Sequence, residues 1–351
     1  MTGQEDKPAR KRRGGGRPTI ADVAARAGVS TITVSRALRD PHKVSETLRD
    51  RIDQAVRDLD YVPDSHASAL ASARTNVLGV VVPSLTNNVF SDTLRAIYDG
   101  LEGGPLRVQL GNSRYSAAEE ERLLRIFLSQ RPCALIVAGN DQTPAAREML
   151  ENADCPVVQI MEVSPDPVDM MVGFSHFEGG RAAGAHLIAQ GYRHIGFVGA
   201  RMDPRTKRRQ AGFAQAMKDA GMYDPALIMT TATSSSVALG GWLLRELRQK
   251  RPDLDAVFCN NDDLALGALF ECQRSGISVP DEFGISGFND LEMMAAAFPT
   301  LTSVRTDRYG IGLRAVEMIR ACLDGHPPAR KILDLGFAVQ ARQSTARSPR
   351  D

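Results

Sequence analysis

Five cations crowd one stretch of this chain: in GARMDPRTKRRQAGF, residues 199–213, Arg201, Arg205, Lys207, Arg208 and Arg209 fall close together. Guanidiniums hold carboxylate and phosphate oxygens two at a time, so such a run suits a nucleic-acid backbone or an anionic small molecule. A second group with binding chemistry lies far upstream, in TIADVAARAGVSTITVSRALR, where Thr31, Ile32, Ser35 and Arg36 share the outer side of one helical period. Such a set can donate to phosphates, touch a thymine methyl and reach base edges. Catalytic chemistry finds no comparable grouping. His176, His186 and His194 lack metal-ligand spacing, and Cys133, Cys155, Cys259, Cys272 and Cys322 are scattered. No Gly-x-Ser-x-Gly elbow is present, and the glycines at 14–16 lack the Lys-Ser/Thr of a phosphate loop. The expectation is a binding protein, not an enzyme, with no cofactor and no metal.

The upstream group needs helices to present it. Ile20, Val23 and Ala24 form one helical face, Gly28 supplies a turn, and Ser30 can cap a second helix whose inner face is Val34, Ala37 and Leu38. Two short helices joined through such a turn make a helix-turn-helix, and a third helix over 45–59 would close the bundle. From Val77 onward the pattern changes. VLGVVV, LRVQLG, ALIVAG, PVVQIM, HIGFVGA, AVFCNN and FGISGF alternate with amphipathic helical stretches, which predicts parallel sheets covered by helices on both faces. These strands are too many for one sheet of this length, so two similar lobes are expected. Ligands of parallel sheets bind at the carboxyl ends of strands, and the cationic run directly follows HIGFVGA, so several of its charges should face the cleft.

The totals fit this division. A chain of 351 residues with 43% hydrophobic and 24% charged residues is an ordinary globular composition of more than one domain. Residues 1–63 carry 13 Lys and Arg against 9 Asp and Glu, and the remainder 30 against 33, so the front of the chain suits an anionic partner. No apolar run approaches the roughly 20 residues of a membrane span. The basic start, MTGQEDKPARKRRGGGR, has no apolar segment behind it, and a cytoplasmic protein is expected.

TIADVAARAGVSTITVSRAL followed by VSETLRDRIDQAVRDLDYVPD resembles the opening signature of the lactose-repressor (LacI) family of bacterial transcription regulators. The resemblance runs from about Arg17 to Arg342 and implies a plan. A basic leader (1–16) precedes a helix-turn-helix domain (17–63) and a hinge (64–76). A two-lobed, periplasmic-binding-protein-like α/β core (77–342) then ends in a short tail (343–351). It also implies that Thr31, Ile32 and Arg36 read bases, that Thr19, Ser30, Thr33 and Ser35 lie near phosphates, and that Leu70 wedges into the minor groove. Thr31 and Ile32 are smaller and less polar than is usual in the family, and Asp64 stands where Asn is common.

In the core the resemblance implies an effector pocket with Arg209, in the R-x-x-G-F position, holding ligand oxygens. Asn88, Phe90, Phe174, Asn261, Asp262 and Asn289 match other pocket positions, and Arg201 and Arg205 are further candidates from the cationic run. Ser175-His176 replaces the more usual Asp-Asn, and Asn289 replaces a frequent Asp, which leaves the pocket more positive. PSLTNNVF, GARMDPRT, NDDLALGALFECQRSG and ILDLGF resemble the gluconate-operon type within the family, although Arg209 stands where a lysine is expected. The expected effector is therefore a sugar acid, gluconate or a ketogluconate. The same fold responding to a neutral sugar or a phosphorylated sugar acid, a sugar-binding receptor and a sugar-acid enzyme are the alternatives. Half-site geometry and family imply a homodimer on double-stranded operator DNA, and the tail lacks the leucine repeat of a tetramer-forming coil.

Overall fold

The computed structural model describes residues 18–39, 41–62 and 75–347. They form two units, divided after Thr75. In the first, α1 (Ile20–Ala27) opens with a capping box: the Asp22 N–H donates to Thr19 Oγ1, and the Thr19 N–H donates to the Asp22 carboxylate at 2.8 Å. Gly28 ends the helix at φ 65°, a conformation that costs a glycine little, and the chain turns into α2 (Thr31–Arg39). The Ser30 hydroxyl accepts from the Thr33 N–H at 3.2 Å, which caps that helix as its position suggests. Helix α3 (Glu46–Asp58) lies across both, and Val23, Ala24, Ala27, Val34, Ala37, Ile52 and Ala55 are buried together. Arg51 fixes the turn by donating to the Ala27 carbonyl at 2.6 Å.

The second unit holds two six-stranded sheets. The first lobe carries β1 (Val77–Val82), β2 (Arg107–Asn112), β3 (Ala134–Ala138), β4 (Val157–Ile160), β5 (Met170–Gly173) and β11 (Ile332–Asp334), in the order β11-β5-β4-β3-β1-β2. The second carries β6 (Ile195–Ala200), β7 (Ile228–Thr231), β8 (Ala256–Cys259), β9 (Gly284–Asn289), β10 (Thr302–Thr306) and β12 (Phe337–Gln340), in the order β12-β10-β9-β8-β6-β7. All neighbours run parallel except β10 and β12. The central strands are buried along their length, which explains their unbroken apolar sequences.

Helices α4 (Ser91–Leu101), α5 (Ala117–Ser129), α6 (Pro144–Glu151) and α12 (Arg308–Leu323) cover the first sheet; α7 (His176–Ala189), α8 (Pro204–Asp219), α9 (Val237–Lys250) and α10 (Asp262–Arg274) cover the second, with the short α11 (Glu292–Ala296) beside them. The chain crosses between lobes three times, after β5, after β10 and between β11 and β12.

Two of these helices place the cations. Asp203 caps α8 by accepting from the Thr206 N–H at 2.9 Å, and Pro204 occupies the first turn. Thr206, Arg209, Gly212, Phe213, Ala216 and Met217 recur at helical spacing and are buried. Phe213 packs against Phe197 and Phe258, with ring centroids 5.7 and 5.8 Å apart, each such side chain stabilising by about 1.5–3 kcal/mol. Gly212 lies so close to α7 that a Cβ there would meet the Phe177 carbonyl oxygen at 1.9 Å. The glycine of the R-x-x-G-F motif thus seats α8 on its neighbour and fixes Arg209.

The tail expected from residue 343 begins later. Ser344 and Thr345 are buried: Ser344 Oγ donates to the Ile285 carbonyl at 2.6 Å, and Thr345 Oγ1 lies 2.7 Å from Thr302 Oγ1. These hydroxyls complete the hydrogen bonding at the end of the second sheet, so the core extends at least that far.

Candidate functional site

A cavity of about 540 Å³, its open mouth included, lies between the lobes at the carboxyl ends of β1, β6, β8 and β9. Phe90, Tyr115 and Phe174 supply apolar wall, and Asn87, Ser235, Asn260, Asn261 and Asn289 supply polar groups. Its charged lining residues are Arg201, Asp203, Arg205 and Arg209. Three guanidiniums face one carboxylate.

Arg209 is held from several sides. Its Nε donates to His176 Nδ1 at 3.0 Å, its Nη1 donates to the Asn260 carbonyl at 2.6 Å, and its guanidinium lies 3.8 Å from the Phe288 ring centroid. Burial lowers its pKa to about 10, which leaves it protonated at neutral pH. Because His176 accepts through Nδ1, it must carry its proton on Nε2, which donates to the Met161 carbonyl at 2.8 Å. Burial, and then the charges of Arg209 and Arg205, hold its pKa well below 6.5. His176 is therefore a neutral spacer, and Ser175 accepts from the Glu178 N–H at the start of α7, so the pair has no nucleophile–base geometry.

The other cations divide by position. Arg205 makes no hydrogen bond among the described residues; Asp203 lies 3.6 Å away, and the Phe90 and Tyr115 ring centroids 5.8 and 5.9 Å away. Arg201 stacks on Tyr115 at 3.9 Å. It and Met202 take φ of 66° and 47°, left-handed values that non-glycine residues adopt at a cost. Burial opposes the Asp203 charge, but Arg205, the Thr206 N–H and Arg209 outweigh it and hold the carboxyl below its usual value. Arg208 points across the cleft mouth. It donates to Asp141 at 2.5 and 2.9 Å and to Asn140 at 3.3 Å, and sits 3.2 Å from the buried Glu162. Lys207 is exposed. A second bridge ties Arg308, in the first lobe, to the Asn289 carbonyl in the second and to Asp92 in its own lobe.

In the first unit, Thr31, Ile32 and Arg36 lie on the open face of α2, with Ile32 70% exposed, while Val34 and Ala37 are buried beneath them. Ser35 is half-buried, and the Thr33 hydroxyl lies 2.9 Å from that of Ser30. Leu70, most of the hinge and the leader lie outside the described residues. Among the described residues no helix is long and apolar enough to cross a membrane, and no cluster of three His, Cys, Asp or Glu side chains is placed to hold a metal ion.

A helix-turn-helix ahead of a two-lobed core has counterparts among known proteins. Residues 19–64 match the model of the bacterial regulatory proteins of the lacI family, and residues 185–345 match a periplasmic binding protein-like domain. The HTH-type transcriptional regulator GntR of Pseudomonas aeruginosa is 44% identical over 94% of this chain and 96% of its own. The chain belongs to the lacI family. GntR of Escherichia coli K12 is 41% identical over 92% of this chain and 97% of its own. A crystallised LacI-family regulator from Silicibacter pomeroyi superposes with a TM-score of 0.88 at 35% identity, covering 94% of this chain and all of that one. This LacI-family member is thus a ligand-responsive, DNA-binding transcriptional regulator.

Of the pocket positions expected in this lacI-family chain, Phe90, Phe174, Arg201, Arg205, Arg209, Asn261 and Asn289 line the cavity. Two do not. Asn88 is exposed, and its neighbour Asn87 faces the site, donating to the Tyr115 hydroxyl at 3.0 Å. Asp262 lies beneath the lining, accepting from the Leu291 N–H at 2.7 Å and from Ser303 Oγ at 2.6 Å; burial pushes its pKa up to about 7. It braces α10 against β10. Asn260, not foreseen, lines the cavity beside Asn261, with its amide bonded to the Ala200 backbone and to Thr206. Tyr115 went unexpected although it follows β2, at the same end of the sheet as the other lining residues.

Proposed function

We propose that this regulator is a repressor that leaves its operator when a sugar acid, gluconate or a ketogluconate, enters the cavity between its lobes. The observation that carries this reading is the charge of the lining, three arginines against Asp203 alone. A carboxylate offsets part of that surplus. A neutral sugar would close the cleft over cations without a counter-charge, which costs several kcal/mol per unpaired buried ion on the order-of-magnitude scale of such burials. Asn87, Asn261, Asn289 and Ser235 offer the mixture of donors and acceptors that a chain of hydroxyls requires. The resemblance of PSLTNNVF and GARMDPRT to the gluconate-operon type supports the same ligand class.

On the DNA side, Thr31, Ile32 and Arg36 would read base edges, with Thr19, Ser30, Thr33 and Ser35 near phosphates. Two copies would bind a near-palindromic site, because a single helix-turn-helix reads only one half-site. The segment 64–76 would act as the hinge, with Leu70 as its wedge. Effector and operator binding are then reciprocally coupled. The test is calorimetry against gluconate, 2-ketogluconate, 6-phosphogluconate and glucose, followed by release of the protein from a duplex selected out of a random pool. Gluconate or a ketogluconate should bind and release the duplex. Tight binding of glucose with none of the acids would sink the reading.

A further inference from the structure

We infer that Arg205, not Arg209, is the residue by which this site selects a negatively charged ligand, with Arg201 beside it completing an anion-binding pole. The inference rests on the sugar-acid reading above and deepens it. Arg209 is partly committed before a ligand arrives: Nε serves His176, one N–H of Nη1 serves the Asn260 carbonyl and one face lies on Phe288. Its three other N–H groups, one on Nη1 and two on Nη2, have no partner among the described residues, but with Nε engaged the side-on fork towards a carboxylate is closed and only the end-on edge is left for a ligand. Arg209 is suited to be a fixed donor wall that any polyol can meet.

Arg205 has the opposite character. Its side chain is only 14% exposed, yet it makes no hydrogen bond among the described residues; Asp203 sits at 3.6 Å, beyond hydrogen-bond reach, and Glu120 is a further carboxylate that feels its charge without a hydrogen bond to it. Asp203 is itself committed to the Thr206 N–H as the cap of α8. A guanidinium brings five donors, and removing it from water without partners is costly, so the ligand is the group that satisfies it. Tyr115 organises the pole: Arg201 stacks on its ring, Arg205 flanks it, and Asn87 donates to its hydroxyl. Arg205 lies one helical turn before Arg209 on the same stripe, so the two differ in what surrounds them and not in which way they face.

The test uses the full-length protein and two ligands of one carbon chain, gluconate and its neutral counterpart glucitol, titrated by calorimetry into wild type, Arg205→Gln, Arg205→Lys and Arg209→Gln. Arg205→Gln should weaken gluconate on the order of 10- to 100-fold, the worth of one or two charge-assisted hydrogen bonds, and leave glucitol unchanged. Arg205→Lys should recover part of the gluconate affinity, and this rescue decides the matter if glucitol binds too weakly to measure. Arg209→Gln should weaken both ligands together. Urea midpoints confirm that each variant is folded. Wild-type gluconate affinity in Arg205→Gln, or an equal loss of both ligands, overturns the assignment while the sugar-acid reading stands. Glucose binding by wild type with no response to gluconate, 2-ketogluconate or 6-phosphogluconate removes that reading and the assignment with it.

Discussion

Replacing His176 by Phe tests how the cavity floor is built. The ring fits between Phe174 and Phe288, whose centroids lie 4.4 and 5.9 Å from that of the imidazole, so a phenyl group should be accommodated. What is lost is hydrogen bonding. Arg209 Nε and the Met161 carbonyl are both left without their partner, and at about 1–3 kcal/mol for each orphaned group the variant should be roughly 3 kcal/mol less stable at pH 7.

That cost should depend on pH, and its direction follows from the depressed pKa. The unfolded chain protonates His176 near 6.5, whereas the folded protein keeps it neutral to well below that value. Its contribution is therefore fully present above pH 6.5 and is lost progressively as pH falls below that value. The difference between wild type and His176→Phe should accordingly shrink from about 3 kcal/mol at pH 7 as pH falls to 5. Asp262 acts in the other sense. With a pKa raised to about 7 it favours the folded state at low pH and loses that contribution as pH rises towards 7, so the wild-type profile alone is flattened. Urea unfolding of both proteins at pH 7, 6 and 5 separates the two, because the Asp262 contribution cancels in the difference. A difference that stays constant across the three pH values would refute the neutral, Nε2-protonated assignment.

Two further substitutions probe the other working surfaces. Arg36→Ala should cost roughly 1–3 kcal/mol on a selected operator and less on random duplex, measured by fluorescence anisotropy; equal losses on both would mean that Arg36 neutralises phosphate and reads nothing. Arg208→Gln and Asp141→Asn, combined in a double-mutant cycle, should show a coupling of about 0.5–1 kcal/mol in unfolding free energy, since both side chains are one-third exposed and the pair is partly screened. Zero coupling would remove the Arg208–Asp141 pair as a stabilising tie between the lobes.

Much of this architecture is visible in the sequence because the strands that carry it are buried on both faces. VLGVVV, ALIVAG and HIGFVGA are apolar throughout for that reason, and each became a central strand. The strands without a clear signal are shorter or lie towards sheet edges. Ile228–Thr231 pairs on one side only, and Ile332–Asp334 and Phe337–Gln340 are half exposed, so neither an apolar run nor a clean alternation marks them. The cavity lining was legible to within a residue or two at the ends of β1 and β8, whereas Tyr115 and Ser235 were not foreseen. Asn87 and Asn88 both follow the first strand, and no composition rule tells which of two adjacent asparagines turns inward; the structure assigns it through the Asn87–Tyr115 hydrogen bond. Asp262 follows Asn260 and Asn261, and the cap at Asn261 starts α10 so that the next side chain is carried under the cavity and not into it.

The cationic run shows why spacing, not total charge, decides what such a stretch does. Five positive groups between 201 and 209 would repel one another if they shared a surface, but a helix cap at Asp203 disperses them. Arg201 stays in the strained loop and stacks on Tyr115. Arg205 and Arg209, four residues apart, fall on the inner stripe, one without hydrogen-bond partners among the described residues and one enclosed. Lys207 turns to solvent, and Arg208 crosses to Asp141 and Glu162 on the other lobe. A ligand that satisfies Arg205 therefore binds one helical turn from both the fixed guanidinium of Arg209 and the interlobe tie of Arg208. Any small rotation of α8 that improves the first contact must alter the other two. On the proposed reading, that coupling would let an anion in the cavity bias the relative position of the lobes, with the same helix serving as sensor and as lever.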